Sequence, residues 1–300
     1  MPDIQTQIIN LVDSAQAAQL RQENALIQEI ARAYENARRD LLARFSDQFA
    51  ALGDDPTPEQ IRQLANDANL IRAIEERLAQ LEHEMNGIIR SGLTDVSDAA
   101  FDLASKEIVL VAEALGVNLL PFALDAFMEL TIGPAIEQVP GLISTLRAQL
   151  LGTLREMLAS GDRFSDIVRI VYQRELGIFP RGRISAELMI RRAVIQAGNN
   201  SKMLYYAQAQ KQIPGLQKQV VASVGGDTTD TCLRAHGQIQ PLDKPFNIEG
   251  TPSYGRRQMQ PPFHWNCRSS VAPYHPIFER TSSLTTPAMQ AAAQAELANR

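Results

Sequence analysis

Leu20–Leu41, LRQENALIQEIARAYENARRDL, decides the fold class. Leu20, Ile27, Tyr34 and Leu41 recur every seven residues, Ile30 and Ala37 fall between them, and Arg, Glu and Gln fill the other faces. Apolar residues at that spacing line one side of an α-helix. Extended outward, the pattern predicts one helix from about Asp3 to Leu52. The break after it is DDPTPEQ, where Thr57 can cap, Pro58 suits the first helical position and Gln60 can complete a capping box. A second helix is expected to run to about Asn86, with Leu64, Ile71, Leu78 and Met85 on one line and Ile74 and Leu81 on the next. Two such helices joined by a short turn make an antiparallel coiled hairpin over residues 1–92. Each stripe covers one face only, so the arm is built to pack.

Beyond Gly87 and Gly92 the character changes. Residues 93–160 form an apolar segment, and from Ile108 to Leu158 they are punctuated by Pro121, Gly133, Pro134, Pro140 and Gly141. Short buried helices broken at the prolines are expected there. Within Ile108–Ile143, the most apolar stretch, the longest uncharged run, Ala114–Leu124, has 11 residues against about 20 needed to span a bilayer, so no stable membrane insertion is expected. From residue 161 two helices are predicted, FSDIVRIVYQREL with Ser165 as its cap and a second starting near Ser185. A strand follows at KQVVASV, with short extended pieces such as SSVAPY. The fold class is therefore mainly α, with a helical hairpin, a helical middle and a small α+β C-terminal module over 161–276. Residues 277–300 are either a loosely held helix or disordered.

Charge follows the same division. Residues 1–160 sum to −12 and residues 161–280 to +7, within a chain of 300 residues and net charge −5. Of 29 basic residues only five are lysines. Arg suits phosphates and carboxylates, so a basic domain near nucleic acid is one reading; a solvated helical surface beside internally paired arginines is the other. MPDIQTQ lacks the order of a secretory signal, and two cysteines make no disulfide scaffold, which points to a reducing compartment. Patterns for nucleotide loops, HExxH zinc and GxSxG nucleophiles are absent.

The chemistry is concentrated in DTTDTCLRAHGQIQPLDKPF (Asp227–Phe246) and QPPFHWNCRSSVAPYHP (Gln260–Pro276). Three of four histidines, both cysteines and the single tryptophan lie there. Cys232 and His236 are four apart, facing the same way on a helical turn, and a tight turn can present both His264 and Cys267. C-x3-H…H-x2-C is thus a candidate tetrahedral zinc set of two thiolates and two imidazoles, and its role would be structural. Other readings of the same residues are a metal-free hydrogen-bonded core, a Cys232–Cys267 disulfide and a nucleophilic Cys–His dyad. Asp227 and Asp230 lie in a Thr-rich turn, Pro261 and Pro262 enforce an extended approach, and Arg268 is placed to clamp Asp227 or Asp230.

These paired segments, D-x-x-D-T-C…H-G-Q and P-P-F-H-W-N-C-R, resemble the phage head morphogenesis family, the minor head proteins typified by Mu protein F. The elements that carry the resemblance are Asp227, Thr231, Cys232, Gly237, Pro261, Pro262, His264, Cys267 and Arg268, with Arg192, Gln196 and Asn200 on the preceding helix. It covers roughly residues 160–276. Family members often carry a cysteine three after the first and another two after the last; here Ala235 and Ser269 stand there, so His236 would have to substitute in a metal site. The resemblance implies a minor virion protein at the portal or capsid interior, supporting head assembly, DNA packaging or delivery, and host cytoplasm as its place during assembly. Portal and capsid proteins are the implied partners, with self-association through the N-terminal arm and proximity to packaged DNA. Rival readings are a metal-dependent hydrolase or effector enzyme built on the Cys/His cluster, and a nucleic-acid-binding module. With four ligands closing the site, no position would remain for water, which favours structure over catalysis.

Overall fold

A computed structural model describes residues 3–53, 56–64, 67–121, 128–159, 164–249, 257–280 and 286–299. The chain is mainly helical with short antiparallel strands near its C-terminus. In order these are α1 (Ile4–Ala51), α2 (Pro58–Leu64), α3 (Ala68–Leu115), α4 (Met128–Ile136), α5 (Val139–Ala159), α6 (Phe164–Ala209), β1 (Gln217–Val221), α7 (Asp230–Ala235), β2 (Ile239–Pro241), β3 (Phe246–Asn247), β4 (Arg257–Gln258), β5 (Ser270–Tyr274), a 3-10 turn (Pro276–Arg280) and α8 (Thr286–Ala298). Expectations that fall on residues 54–55, 122–127, 160–163, 250–256 and 281–285, or on the Ser165 side chain, lie outside the described residues. No helix among the described residues is long and apolar enough to cross a membrane.

The first helix lies where its periodicity puts it. Its buried line, however, is Leu26, Ile30, Tyr34, Ala37, Leu41 and Phe45, with Ile27 only half-buried. A straight helix of 3.6 residues per turn drifts off a strict seven-residue line, so the stripe moves to the neighbouring residue a turn or two away. The capping box forms: Thr57 N donates to Gln60 Oε1 at 2.8 Å, and Gln60 N donates to Thr57 Oγ1 at 3.3 Å.

The long helices differ from expectation in their bounds. The helix expected from Thr57 to about Asn86 is two: α2 ends at Leu64, and α3 starts at Ala68, where Asp67 Oδ1 accepts from Asn69 N and Leu70 N, and runs on to Leu115. Its buried line continues unbroken through Met85, Ile89, Leu93, Val96, Ala100, Ala104 and Ile108, while Gly87 is exposed and Gly92 half-buried. Glycine off the packed stripe costs a helix only about 1 kcal/mol, less than the burial on either side returns. Likewise α6 is one helix rather than two, passing through Pro180. At Gly182 a Cβ would come within 3.1 Å of Tyr34 Cε1, so this glycine serves close helix approach and does not end the helix.

The chain divides into two compact units, and neither follows the sequential segments expected. One comprises residues 25–91 and 134–190; the other, residues 1–24, 92–133 and 191–300. Both are discontinuous because α1, α3 and α6 each carry an apolar stripe longer than one unit and contribute residues to both.

The 25–91/134–190 unit is all helical. Arg77 on α3 donates to Asp40 on α1 at 2.9 Å, Arg147 on α5 pairs with Glu75 on α3, and Tyr34, Leu146 and Gly182 meet from α1, α5 and α6.

The other unit holds the three-stranded antiparallel sheet, order β2-β1-β5, and the two-stranded β3-β4 ribbon. Central β1 is pinned from outside the sheet. Gln5 at the start of α1 donates to Gln219 at 3.2 Å, and Met289 of α8 accepts from Gln219 at 3.1 Å. Asn199 of α6 covers β5, accepting from Val271 N at 2.8 Å and donating to Ser269 O at 3.3 Å. The tail is therefore helical over Thr286–Ala298 and buries Met289 and Ala293.

Candidate metal centre

Two short turns build the centre. The first is the start of α7, where Thr229 is the N-cap and its hydroxyl accepts from Cys232 N. That cap fixes the turn carrying Cys232, and the neighbouring Thr231 is buried. In the second turn Cys267 N donates to His264 O at 3.3 Å, with Asn266 in the left-handed region at φ 59°. The turn is entered through the buried Pro261–Pro262 pair, which is cis, and is held at its exit by Asn199 on Ser269 O. The helix ahead of the motif faces this segment: Asn200 accepts from Gln260, and the Arg192 guanidinium lies 6.0 Å from the centroid of the Trp265 ring.

The turns meet at their reactive atoms. Cys232 Sγ is 2.9 Å from His264 Nε2 and 3.7 Å from Cys267 Sγ. Both cysteines are buried and unbridged. Cys232, His264 and Cys267 form a group that can hold a metal ion. The His264 ring is already oriented as a ligand, because its Nδ1 lies 2.5 Å from Trp265 O. A carbonyl only accepts, so Nδ1 carries the proton and Nε2 presents its lone pair to the sulfurs and to Thr229 Oγ1, 2.7 Å away.

Electrostatics divide the two thiols. Hydrogen bonding from Cys267 is the largest influence on Cys232 and brings its pKa down to about 7, against the opposing effect of burial. Cys267 is pushed up, first by that same shared hydrogen bond and then by burial. Burial pulls His264 down most strongly, but Cys267 and the Trp265 carbonyl together carry it above its ordinary value. Cys232 is the more acidic thiol of the pair and, while protonated, donates to His264 Nε2.

His236 does not join the group, which corrects the four-residue set. Its Nδ1 accepts a hydrogen bond from Ala222 N at 3.0 Å, tying α7 to the end of β1. Buried there, it is held neutral with its pKa lowered to about 4. Spacing of i, i+4 predicts a shared face only if the helix continues, but α7 ends at Ala235 and His236 is its extended C-cap. Gly237 follows at φ +76° and donates to Val220 O, a turn for which glycine is suited. Nor does Arg268 clamp Asp227; both are exposed, and the Arg268 charge acts on the buried Glu23, which Arg191 contacts at 3.3 Å. Asp230 is the first residue of α7. His275 stands apart, with Nε2 3.3 Å from Pro214 O.

Beside the group lies a pocket of about 420 Å³ lined by Cys232, His264, Thr229, Asp227, Arg191 and Arg268, among others. Thr229 and the Arg191–Glu23 pair are the residues that motif reading missed. Thr229 had a local signal, a hydroxyl three positions before Cys232 at a helix start. Glu23 had none, lying 168 residues from its partner. No known protein family, curated protein or solved structure matches this chain.

Proposed function

We propose that the chain is a minor head protein of a tailed bacteriophage, acting through assembly and positioning at the portal or capsid interior. One observation supports it above others: the two motif segments that carry the family resemblance, 35 residues apart, converge on a single site with Cys232 against His264 and Cys267. That convergence is what a module defined by the ordered pair of motifs requires. The long helices with unbroken apolar stripes suit an assembly protein whose work is contact. Proteomics of purified particles and of DNA-free heads from the phage encoding the chain tests this. A few copies per particle are expected; finding the chain only in infected-cell cytosol overturns the proposal.

The ion we assign to the group is zinc, as a structural staple. Zinc–sulfur and zinc–nitrogen bonds of about 2.3 and 2.05 Å, meeting tetrahedrally, set a sulfur–sulfur edge of about 3.8 Å and a sulfur–nitrogen edge of about 3.6 Å. The cysteine sulfurs stand at 3.7 Å already. The 2.9 Å Cys232–His264 edge is a hydrogen bond, and it would open by roughly 0.7 Å on taking the metal.

A metal-dependent hydrolase is the second reading, and the separation of His236 favours it. Three ligands leave a tetrahedral ion one position short, the arrangement found in catalytic sites. A hydrolase screen decides: turnover lost in a still-folded His264→Ala chain establishes the enzyme, and no turnover with any substrate class leaves the staple.

A further inference from the structure

We infer that the fourth position of this metal site is exchangeable and takes a small oxyanion, a phosphate or a carboxylate, from the adjoining pocket. The inference rests on the metal reading above and deepens it. Three observations on separate residues carry it.

The ligand set stops at three side chains. His236, the residue that would have closed it, spends its Nδ1 on Ala222 N, and no other His, Cys, Asp or Glu among the described residues joins the group. The group also borders the pocket. Cys267 is not part of the pocket wall, whereas Cys232 and His264 are, so an ion held between them has its remaining direction toward the pocket. Finally, the same wall carries the groups an oxyanion needs. Arg268 is exposed and makes no ion pair within 4 Å among the described residues; Glu23, on which both arginine charges act, is in contact with Arg191. The Thr229 hydroxyl stands 2.7 Å from His264 Nε2 and lines the same pocket.

A guanidinium fork and a hydroxyl next to an electrophilic ion match an anionic oxygen ligand better than a neutral one. Asp227 lines the pocket too, and its opposing charge favours a small anion held close to the metal over a polyanion filling the whole space.

Cobalt(II) in place of zinc makes the coordination visible. Full-length, thiol-reduced protein would be loaded with one equivalent of cobalt and titrated with inorganic phosphate and, separately, with acetate, while the visible d–d bands are followed. A saturable band shift with either anion is expected. In Arg268→Gln the half-saturating concentration should rise about tenfold, the loss of one charge-assisted hydrogen bond. Arg268→Lys should fall between, and Arg234→Gln, an exposed change on α7 outside the pocket wall, should leave it unchanged. Tetrahedral cobalt bands that ignore both anions overturn the exchangeable position and leave the staple standing. Absence of cobalt bands overturns the metal reading and this inference together.

Discussion

The two units bury their chain by opposite means. In the helical unit, 25–91 and 134–190, Arg77 is the one buried charged or polar residue among those described. The strand-bearing unit buries Glu23, Glu107, Lys202, Lys218, His236 and a set of amides and hydroxyls. Lys202 donates to Glu107 at 2.8 Å and to Ser270 at 3.3 Å, while Tyr206 donates to the other Glu107 oxygen. Burial opposes charge on both partners, raising Glu107 and lowering Lys202, and each draws the other back. Lys218 stands on β1 with its ammonium on the carbonyls of Leu242 and Met259 and 5.1 Å from the Phe246 ring centroid. Long helices are specified by repetition, and any one residue matters little. A small sheet with strands of two to five residues has too little apolar surface for that, so it is specified by tethers that each join distant segments.

The sharpest break in that contrast is Lys202→Met. It strands Glu107 in a site without solvent, and about 3–5 kcal/mol of stability should be lost in urea unfolding. Glu107→Leu combined with Lys202→Met should recover most of it. A double variant as unstable as the single would show that packing, not the ion pair, sets the cost.

Next in size is a pH effect confined to the strand-bearing unit. His236 titrates at about 4 when folded, below its ordinary 6.5. As pH falls the unfolded chain takes up that proton first, so stability complete above pH 6.5 declines down to pH 4, by up to about 3 kcal/mol. His236→Asn, which keeps an acceptor for Ala222 N, should remove this part of the acid slope. An unchanged slope would show that His236 is not held neutral in the folded chain.

Thr229→Ala removes the cap of α7 and should cost about 1 kcal/mol by thermal unfolding. It should also raise the alkylation rate of Cys232, because the turn loosens. Smallest, and of opposite sign, is Gly87→Ala. No atom lies within 4 Å of the added Cβ, and the helix should gain up to about 1 kcal/mol. A loss there would contradict the view that the helical unit tolerates change off its stripe.

The same contrast explains what could be read from residues alone. Local pattern and residue type located α1, β1 and β5 and the capping box at Thr57, because each depends on residues close in sequence. They misplaced the end of α3 and split α6, since Gly87, Gly92, Pro180 and Gly182 carry local helix-breaking signals that packing overrides. Of the site, Cys232, His264 and Cys267 were legible as chemistry-bearing residues clustered in fifty positions. That His236 would leave them was not: its partner Ala222 N is a backbone group 14 residues away, and a backbone donor leaves no mark on composition. The Lys202–Glu107 pair, 95 residues apart, was equally silent.

The candidate metal centre of the strand-bearing unit stands or falls on whether the turns at Cys232 and His264 share one ion. Zinc should therefore be quantified in the purified full-length chain and in its His264→Ala and His236→Asn forms, with Tm recorded before and after chelation. One zinc per chain is expected in the parent and in His236→Asn, with none in His264→Ala and a lower Tm once the metal is removed. Zinc that survives His264→Ala, or a parent chain that never binds it and melts identically with chelator, would contradict the account.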